Sequence, residues 1–285
     1  MKNNKKLMAA VCSAVAGAAC FTPSVTMASP AAAVEAAAVV AETASKVLPA
    51  SGDFSVEARA FSPSFDVKAH SDSIDYKGGD VSLKDDLGFS DKTAPELVFR
   101  YRNLSADWIH VSSSGDAKLQ DDMKIDDKTF LKGSGISADS KLNYINVKVT
   151  NPLVSVPHIK TTWNYGLSVI NWKMSADGTA SASYGGRTYT HSESASESYT
   201  VPVPLVGLGA EADLGGGASV YAKISGLPLA SYGHVYDLET GVKYSPIPYL
   251  TLDAGYRRVD INVHHDDDRG SFVLSGPWAG LSYNF

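Results

Sequence analysis

His264-His265-Asp266-Asp267-Asp268 is the densest run of metal-capable side chains in this sequence. Carboxylates suit hard cations and imidazoles suit transition metals, but adjacent loop residues do not converge on one ion without further ligands. The run reads as solvated loop, and no metal site is nominated. His110 and Ser112 share one face of a strand pattern, as a base and a nucleophile would. A base needs an acid to orient it, and no third member can be assigned, so no catalytic residue is nominated. Gly215-Gly216-Gly217 follows a strand, but no helix comes after it to supply the N-terminus that holds phosphate. It reads as a turn. Asp85-Asp86, Asp121-Asp122 and Asp126-Asp127 read as loop charge, and no cofactor motif is present.

The stronger chemical pattern is one of alternating parity. Over 203 to 214, Val206, Leu208, Ala210, Ala212 and Leu214 oppose Gly207, Gly209, Glu211 and Asp213. Over 234 to 244, Tyr236, Leu238, Thr240, Val242 and Tyr244 oppose Asp237, Glu239, Gly241 and Lys243. A strand places successive side chains on opposite faces, so one face of the sheet is dry and the other charged. The charged parity collects six acids (Glu57, Glu211, Asp213, Asp237, Glu239, Asp253) and six bases (Arg59, Arg100, Arg102, Lys223, Lys243, Arg257). Such balance fits groups that face one another in a narrow enclosure, where an unpaired charge is costly to desolvate. If Tyr244 faces Leu250 across the Pro246 turn, Asp237 faces Arg257, and these two are expected to form an ion pair.

Ten candidate strands carry this pattern: 53 to 66, 94 to 102, 106 to 113, 136 to 150, 160 to 175, 203 to 214, 218 to 226, 234 to 244, 249 to 263 and 275 to 285. Short breaks (103 to 105, 151 to 159, 215 to 217, 245 to 248) take turns with longer polar ones (67 to 93, 114 to 135, 176 to 202, 264 to 274), and 227 to 233 is the shortest of the long class. A two-sheet sandwich has no reason to sort its loops this way, whereas a membrane barrel does. The alternation loses phase at Tyr144-Ile145, Val169-Ile170 and Arg258-Val259, where β-bulges or an exit into an external ribbon are expected.

The last eleven residues, Ser275 to Phe285, form an amphipathic strand with Ala279, Leu281, Tyr283 and Phe285 on one face. Gly280, Tyr283 and the terminal Phe285 match the C-terminal assembly signal of bacterial outer-membrane β-barrels, and the chain resembles that family. Trp278 departs from it, standing where a polar residue is usual. The resemblance implies an all-β, antiparallel up-and-down transmembrane barrel of about ten strands, with eight or twelve as alternatives. It further implies insertion by the barrel-assembly machinery and contact with outer-membrane lipid and lipopolysaccharide. Trp163, Tyr165, Tyr244, Tyr249, Tyr283 and Phe285 would then form an aromatic girdle on the periplasmic side. Outer-membrane lipid A deacylases carry a His and Ser pair placed like His110 and Ser112.

Met1 to Ala28 has the three parts of a secretory signal: Lys2, Lys5 and Lys6, an apolar run from Leu7 to Phe21, and small residues up to Ala28. Residues 29 to 52 are Ala-rich and read as a periplasmic linker, leaving 53 to 285 as the barrel. Both cysteines, Cys12 and Cys20, fall inside the signal, so no disulfide framework is expected. The formal charge is −6, and no basic patch interleaved with aromatics argues for nucleic acid. No later segment reaches 18 consecutive apolar residues, which excludes membrane helices but not a barrel. The expected function is an integral outer-membrane protein with a charge-filled, largely closed lumen, acting structurally or by binding through its external loops. A narrow passive channel and a lipid-modifying enzyme are the alternatives.

Overall fold

The computed structural model describes residues 53–70, 74–76, 81–125, 128–184, 187–228, 233–265 and 268–285. The expected signal and linker lie outside these. The described chain is all β-strand and turn: β1 (Phe54–Phe61), β2 (Ser64–His70), β3 (Ile74–Tyr76), β4 (Val81–Ser82), β5 (Ala94–Tyr101), β6 (Leu104–Lys118), β7 (Met123–Ile125), β8 (Lys128–Phe130), β9 (Gly135–Val156), β10 (Ile159–Tyr184), β11 (Arg187–Gly215), β12 (Ala218–Pro228), β13 (Gly233–Ile247), β14 (Leu250–His265) and β15 (Asp268–Asn284).

Ten of these close into one antiparallel barrel in the order β1-β5-β6-β9-β10-β11-β12-β13-β14-β15, with β15 pairing back onto β1 from Ser55↔Asn284 to Phe61↔Trp278. Closure leaves the barrel wall no open edge, so backbone groups pair between strands all the way round. β2 continues the line of β1 along β15, β4 adds a rung to β2, and β3, β7 and β8 form a small separate sheet.

All ten expected strands are present, and the short connections are at one end. There a ring of backbone bonds links neighbouring turns: Arg102 N–H to Asp53 O (2.8 Å), Thr150 to Asn103 (2.7 Å), Asp213 to His158 (2.7 Å), Ser245 to Gly217 (2.8 Å), Asn284 to Tyr249 (2.9 Å) and Phe285 to Phe54 (2.9 Å). Gly215, Gly216 and Gly217 have φ of 80°, 63° and 79°, a left-handed run that only glycine adopts without strain. Their reading as a turn holds.

Several of the expected long loops are instead strand. β10 and β11 run 26 and 29 residues and stay paired from Ile159↔Ala212 to Tyr184↔Arg187. A tilted strand needs only about 9–11 residues to cross a bilayer. This hairpin therefore projects far past the wall. Ser114 to Gly135 and His264 to Leu274 are likewise shortened by the lengths of β6, β14 and β15.

Outward residues form an apolar band that includes Phe99, Ile145, Val147, Val206, Leu208, Ile224, Leu238, Val242, Leu252 and Leu281. At the short-turn end it meets aromatic rings, with Trp163 stacked on Tyr165 (5.3 Å) and Phe285 packed against Phe54 (5.3 Å) and Tyr283 (4.9 Å). Inside, the barrel has two zones. The long-loop half is an apolar layer of Phe61, Phe65, Ile109, Leu142, Val235, Val259 and Leu274, onto which Leu83, Leu87 and Phe89 fold from the segment after β4. Ser113 Oγ–H fixes that segment through Ser90 O (2.7 Å). The short-turn half is charged.

Of the two causes expected for the breaks of phase, β-bulges are absent at 144–145 and 258–259. The ladders run unbroken there, with Tyr144↔Ile109, Ile145↔Trp108, Arg258↔Ser275 and Val259↔Leu274. The pairing at Val169 and Ile170 is equally regular, with Val169↔Pro202 and Ile170↔Val201. At Tyr144 and Val259 the phase of the strand does not change; its inward side passes from charged to apolar.

Candidate functional site: the charged interior

The inward parity of nine strands gathers polar and aromatic side chains around two arginines in the lumen, each buried and each surrounded by carboxylates. Arg257 on β14 is 1% exposed. Its Nη1 donates to Glu96 Oε1 (2.5 Å), its Nη2 to Asp107 Oδ2 (3.0 Å) and Asp237 Oδ2 (2.7 Å), and its Nε to Asp237 Oδ1 (3.0 Å). Asn146 Nδ2–H donates to Asp107 Oδ2 (2.7 Å), and Asn146 Oδ1 accepts in turn from the Ser168 hydroxyl. Arg59 on β1 meets Glu57, Glu96 (3.2 Å) and Glu239 (3.2 Å), and its guanidinium lies 3.9 Å over the Trp278 ring. Glu57 also accepts from Arg100 (2.6 Å), and Glu239 from the Tyr221 hydroxyl (2.7 Å). Glu96 touches both arginines and so joins the two clusters.

Buried charges are tolerable when every one is paired and hydrogen-bonded, and a guanidinium with its fixed fork of five donors serves several carboxylates at once. The backbone makes room for this. A Cβ at Gly280 would lie 2.8 Å from Arg59 Cγ and 2.9 Å from Ala58 O, so the glycine lets the arginine stem lie against the wall. Trp278, the departure from the family pattern, is inward, 3% exposed, and covers the Arg59 cation.

Of the residues nominated from sequence, the structure unites Glu57, Arg59, Arg100, Lys223, Asp237, Glu239 and Arg257. Lys223 is the loosest, with Nζ 3.7 Å from Glu239. Glu211 and Lys243 form a separate pair at 2.9 Å, nearer the turns. Asp253 is buried, with Oδ1 unpartnered. Two do not join. Arg102 sits in the β5–β6 turn with φ of 53° and pairs with Asp53 (3.0 Å), and Asp213 caps Gly215 N–H (2.8 Å) at the end of β11. Both have the inward parity but stand at strand ends, where the wall no longer encloses them.

The expected register across β13 and β14 is off by two. Glu239, not Asp237, lies opposite Arg257, and Asp237 faces Val259. The cause is the turn: Ile247 pairs with Leu250, and an irregularity between Tyr244 and Ile247 sets Tyr244 opposite Leu252. The Asp237 and Arg257 ion pair exists all the same, because the long guanidinium reaches the inward residue two positions along. Glu96, Asp107, Asn146, Lys148 and Tyr221 were not among the nominated residues. Glu96 shares parity with Arg100 on an expected strand, and that signal was sufficient to find it; Lys148 and Asp107 lay on expected strands whose inward faces are otherwise weakly charged.

Toward the short turns the clusters give way to a cavity of about 290 Å³. The buried Glu96 and Asp107 stand at its inner end, and the exposed Arg102, Asn103 and Leu104 at its mouth. Lys148, Lys160 and Lys223 line its sides.

The other candidate groups are dispersed. His110 points outward and its Nδ1 lies 2.9 Å from Asn143 Oδ1, so an amide occupies the position that an orienting acid would take. The His264–Asp268 run falls outside the residues whose side chains are described. Among the described residues no group of three or more His, Cys, Asp or Glu is placed to hold a metal ion.

No family model and no curated protein matches this chain. Among solved structures, the outer membrane protease OmpT from Escherichia coli superposes with a TM-score of 0.50 at 11% identity, over 84% of this chain and 99% of that one. The translocator domain of the autotransporter NalP from Neisseria meningitidis gives 0.38 at 12% identity, covering 88% and 96%. Ail, the attachment invasion locus protein of Yersinia pestis, gives 0.27 at 11% identity, covering 81% and 98%. The likeness to OmpT is one of fold. Closed antiparallel wall, apolar outer band, aromatic end and sorted turns together define the class: the chain has the outer-membrane β-barrel fold.

Proposed function

We propose that this is an integral protein of the Gram-negative outer membrane that acts at the cell surface, structurally or by binding through its projecting strands, and not by passing solutes or by catalysis. The observation that carries this reading is the interior: the Arg257 and Arg59 clusters span the lumen, and an apolar layer built from Phe65, Leu87, Phe89 and Ile109 lies above them. Ten strands enclose little more than side chains, so groups tied across the lumen favour a closed barrel over a channel. The surface role is supported by the β10–β11 hairpin, whose length far exceeds what a membrane crossing needs. Against a hydrolase stands His110, paired with an amide. Residues 1–28 serve as the export signal and Gly280, Tyr283 and Phe285 as the assembly signal in this reading, with lipopolysaccharide as the surrounding partner.

An epitope inserted between Tyr184 and Arg187 tests the topology. Antibody is expected to label intact cells, with the protein recovered in the outer-membrane fraction as a heat-modifiable band. Labelling only after the outer membrane is permeabilised would contradict the proposed surface role.

A further inference from the structure

The geometry points to the 290 Å³ cavity at the short-turn mouth as a binding site for a small molecule carrying two or more oxyanion groups, held by Arg100, Lys148, Lys160 and Lys223. The basis is an uneven distribution of charge between the wall and what lies behind it. Four carboxylates line the cavity, and each is already engaged: Glu96 and Asp107 by Arg257, Glu239 by Arg59 and Tyr221, Glu211 by Lys243. Arg257 and Lys243 are not part of the wall, so their positive charge neutralises wall acids from outside the cavity. Of the cations that do line it, Arg59 is engaged by Glu57, Glu96 and Glu239 and Arg102 by Asp53, and the other four are left underused.

The Lys160 ammonium, exposed on β10, makes no side-chain hydrogen bond or ion pair among the described residues. Lys223 reaches its nearest carboxylate only at 3.7 Å, and Lys148 reaches Asp237 only at 3.4 Å. Arg100 bonds Glu57 through Nη2 alone, which leaves the rest of its donor fork unpaired. These four come from β5, β9, β10 and β12 and surround the space. A single small anion meets one or two of them, whereas a ligand with separated oxyanion groups meets all sides. Thr150, Thr162 and Ser105 add hydroxyls to the same wall, and Gly209 keeps it open, since a Cβ there would lie 2.7 Å from Thr162 Oγ1. The volume suits a small metabolite and excludes a macromolecule. The site belongs to the barrel's short-turn mouth, whichever compartment that mouth faces.

Titration calorimetry of the purified protein folded in detergent micelles tests this with citrate, pyrophosphate, acetate and spermidine. Citrate or pyrophosphate is expected to bind saturably, at least ten times more tightly than acetate, and which of the two binds better separates a carboxylate from a phosphoryl ligand. Lys160→Gln is expected to weaken that binding at least fivefold with the heat-modifiable band unchanged, and Lys223→Met to weaken it in the same direction. Lack of saturable binding by either polyanion, acetate binding as tightly, spermidine binding in their place, or an unchanged affinity in Lys160→Gln would each overturn the site.

Discussion

The guanidinium of Arg257 lies 2.5 Å from the carboxylate of Glu96, a residue 161 positions earlier in the chain. The contact crosses the lumen from β14 to β5, which are not neighbours in the wall. It ties two strands three places apart in the wall directly, and Glu96 extends the tie to Arg59 on β1 (3.2 Å).

Removing Arg257 leaves Glu96, Asp107 and Asp237 buried without their shared cation. Loss of one partner from a buried ion pair costs about 3–5 kcal/mol. Arg257→Met is therefore expected to destabilise the barrel by about that amount in urea unfolding followed by tryptophan fluorescence. Lys243→Met, which breaks the half-exposed pair with Glu211, is expected to cost about 1 kcal/mol or less. Equal effects of the two substitutions would show that the lumen is wetter than its packing indicates.

Phe285 closes the barrel seam: its N–H donates to Phe54 O (2.9 Å), and its ring packs on Phe54 and Tyr283. Deleting it is expected to lower the amount of heat-modifiable protein in the outer membrane while signal processing continues at the usual rate. Full assembly of the truncated chain would remove Phe285 from the assembly signal.

Asp91 lies outside the wall and accepts from Lys84 Nζ (2.9 Å) and Phe65 N–H (3.0 Å). The Lys84 ammonium, then the Phe65 amide, hold its carboxyl below the usual carboxylate range. Folding thus favours the ionised form, so this tie is at full strength above the ordinary aspartate pKa and is lost as pH falls through the lowered one. Pepsin cleavage between residues 83 and 93 is expected to rise as pH drops below about 4. Asp91→Asn should cleave readily and with no such dependence; a wild-type profile in that variant would refute the tie.

The strands were legible because their two faces differ in chemistry: Val206 and Leu208 against Gly207 and Glu211 leave only one way to orient β11. The hairpin beyond them was not, since Ser181, Ser183, Ser192 and Ser194 offer no dry face by which a strand differs from a loop. Register failed at one turn, where the irregularity between Tyr244 and Ile247 depends on backbone geometry that side-chain pattern does not encode. The two-zone interior was misleading for a physical reason. Alternation marks the boundary between lipid and a polar lumen, and once Val259 and Tyr144 face an apolar interior, both faces of the strand look alike. Parity located most of the charge cluster, but not its limits. Arg102 and Asp213 carry the inward parity at strand ends, where turns claim them.

Planar-bilayer recording of the purified protein tests the proposal of a closed, non-conducting barrel most directly. With the lumen spanned by the Arg257 and Arg59 clusters beneath the Phe65 and Phe89 layer, incorporation should add no discrete current steps in molar KCl. Stable ohmic steps that scale with the amount of folded protein would contradict it and establish a channel.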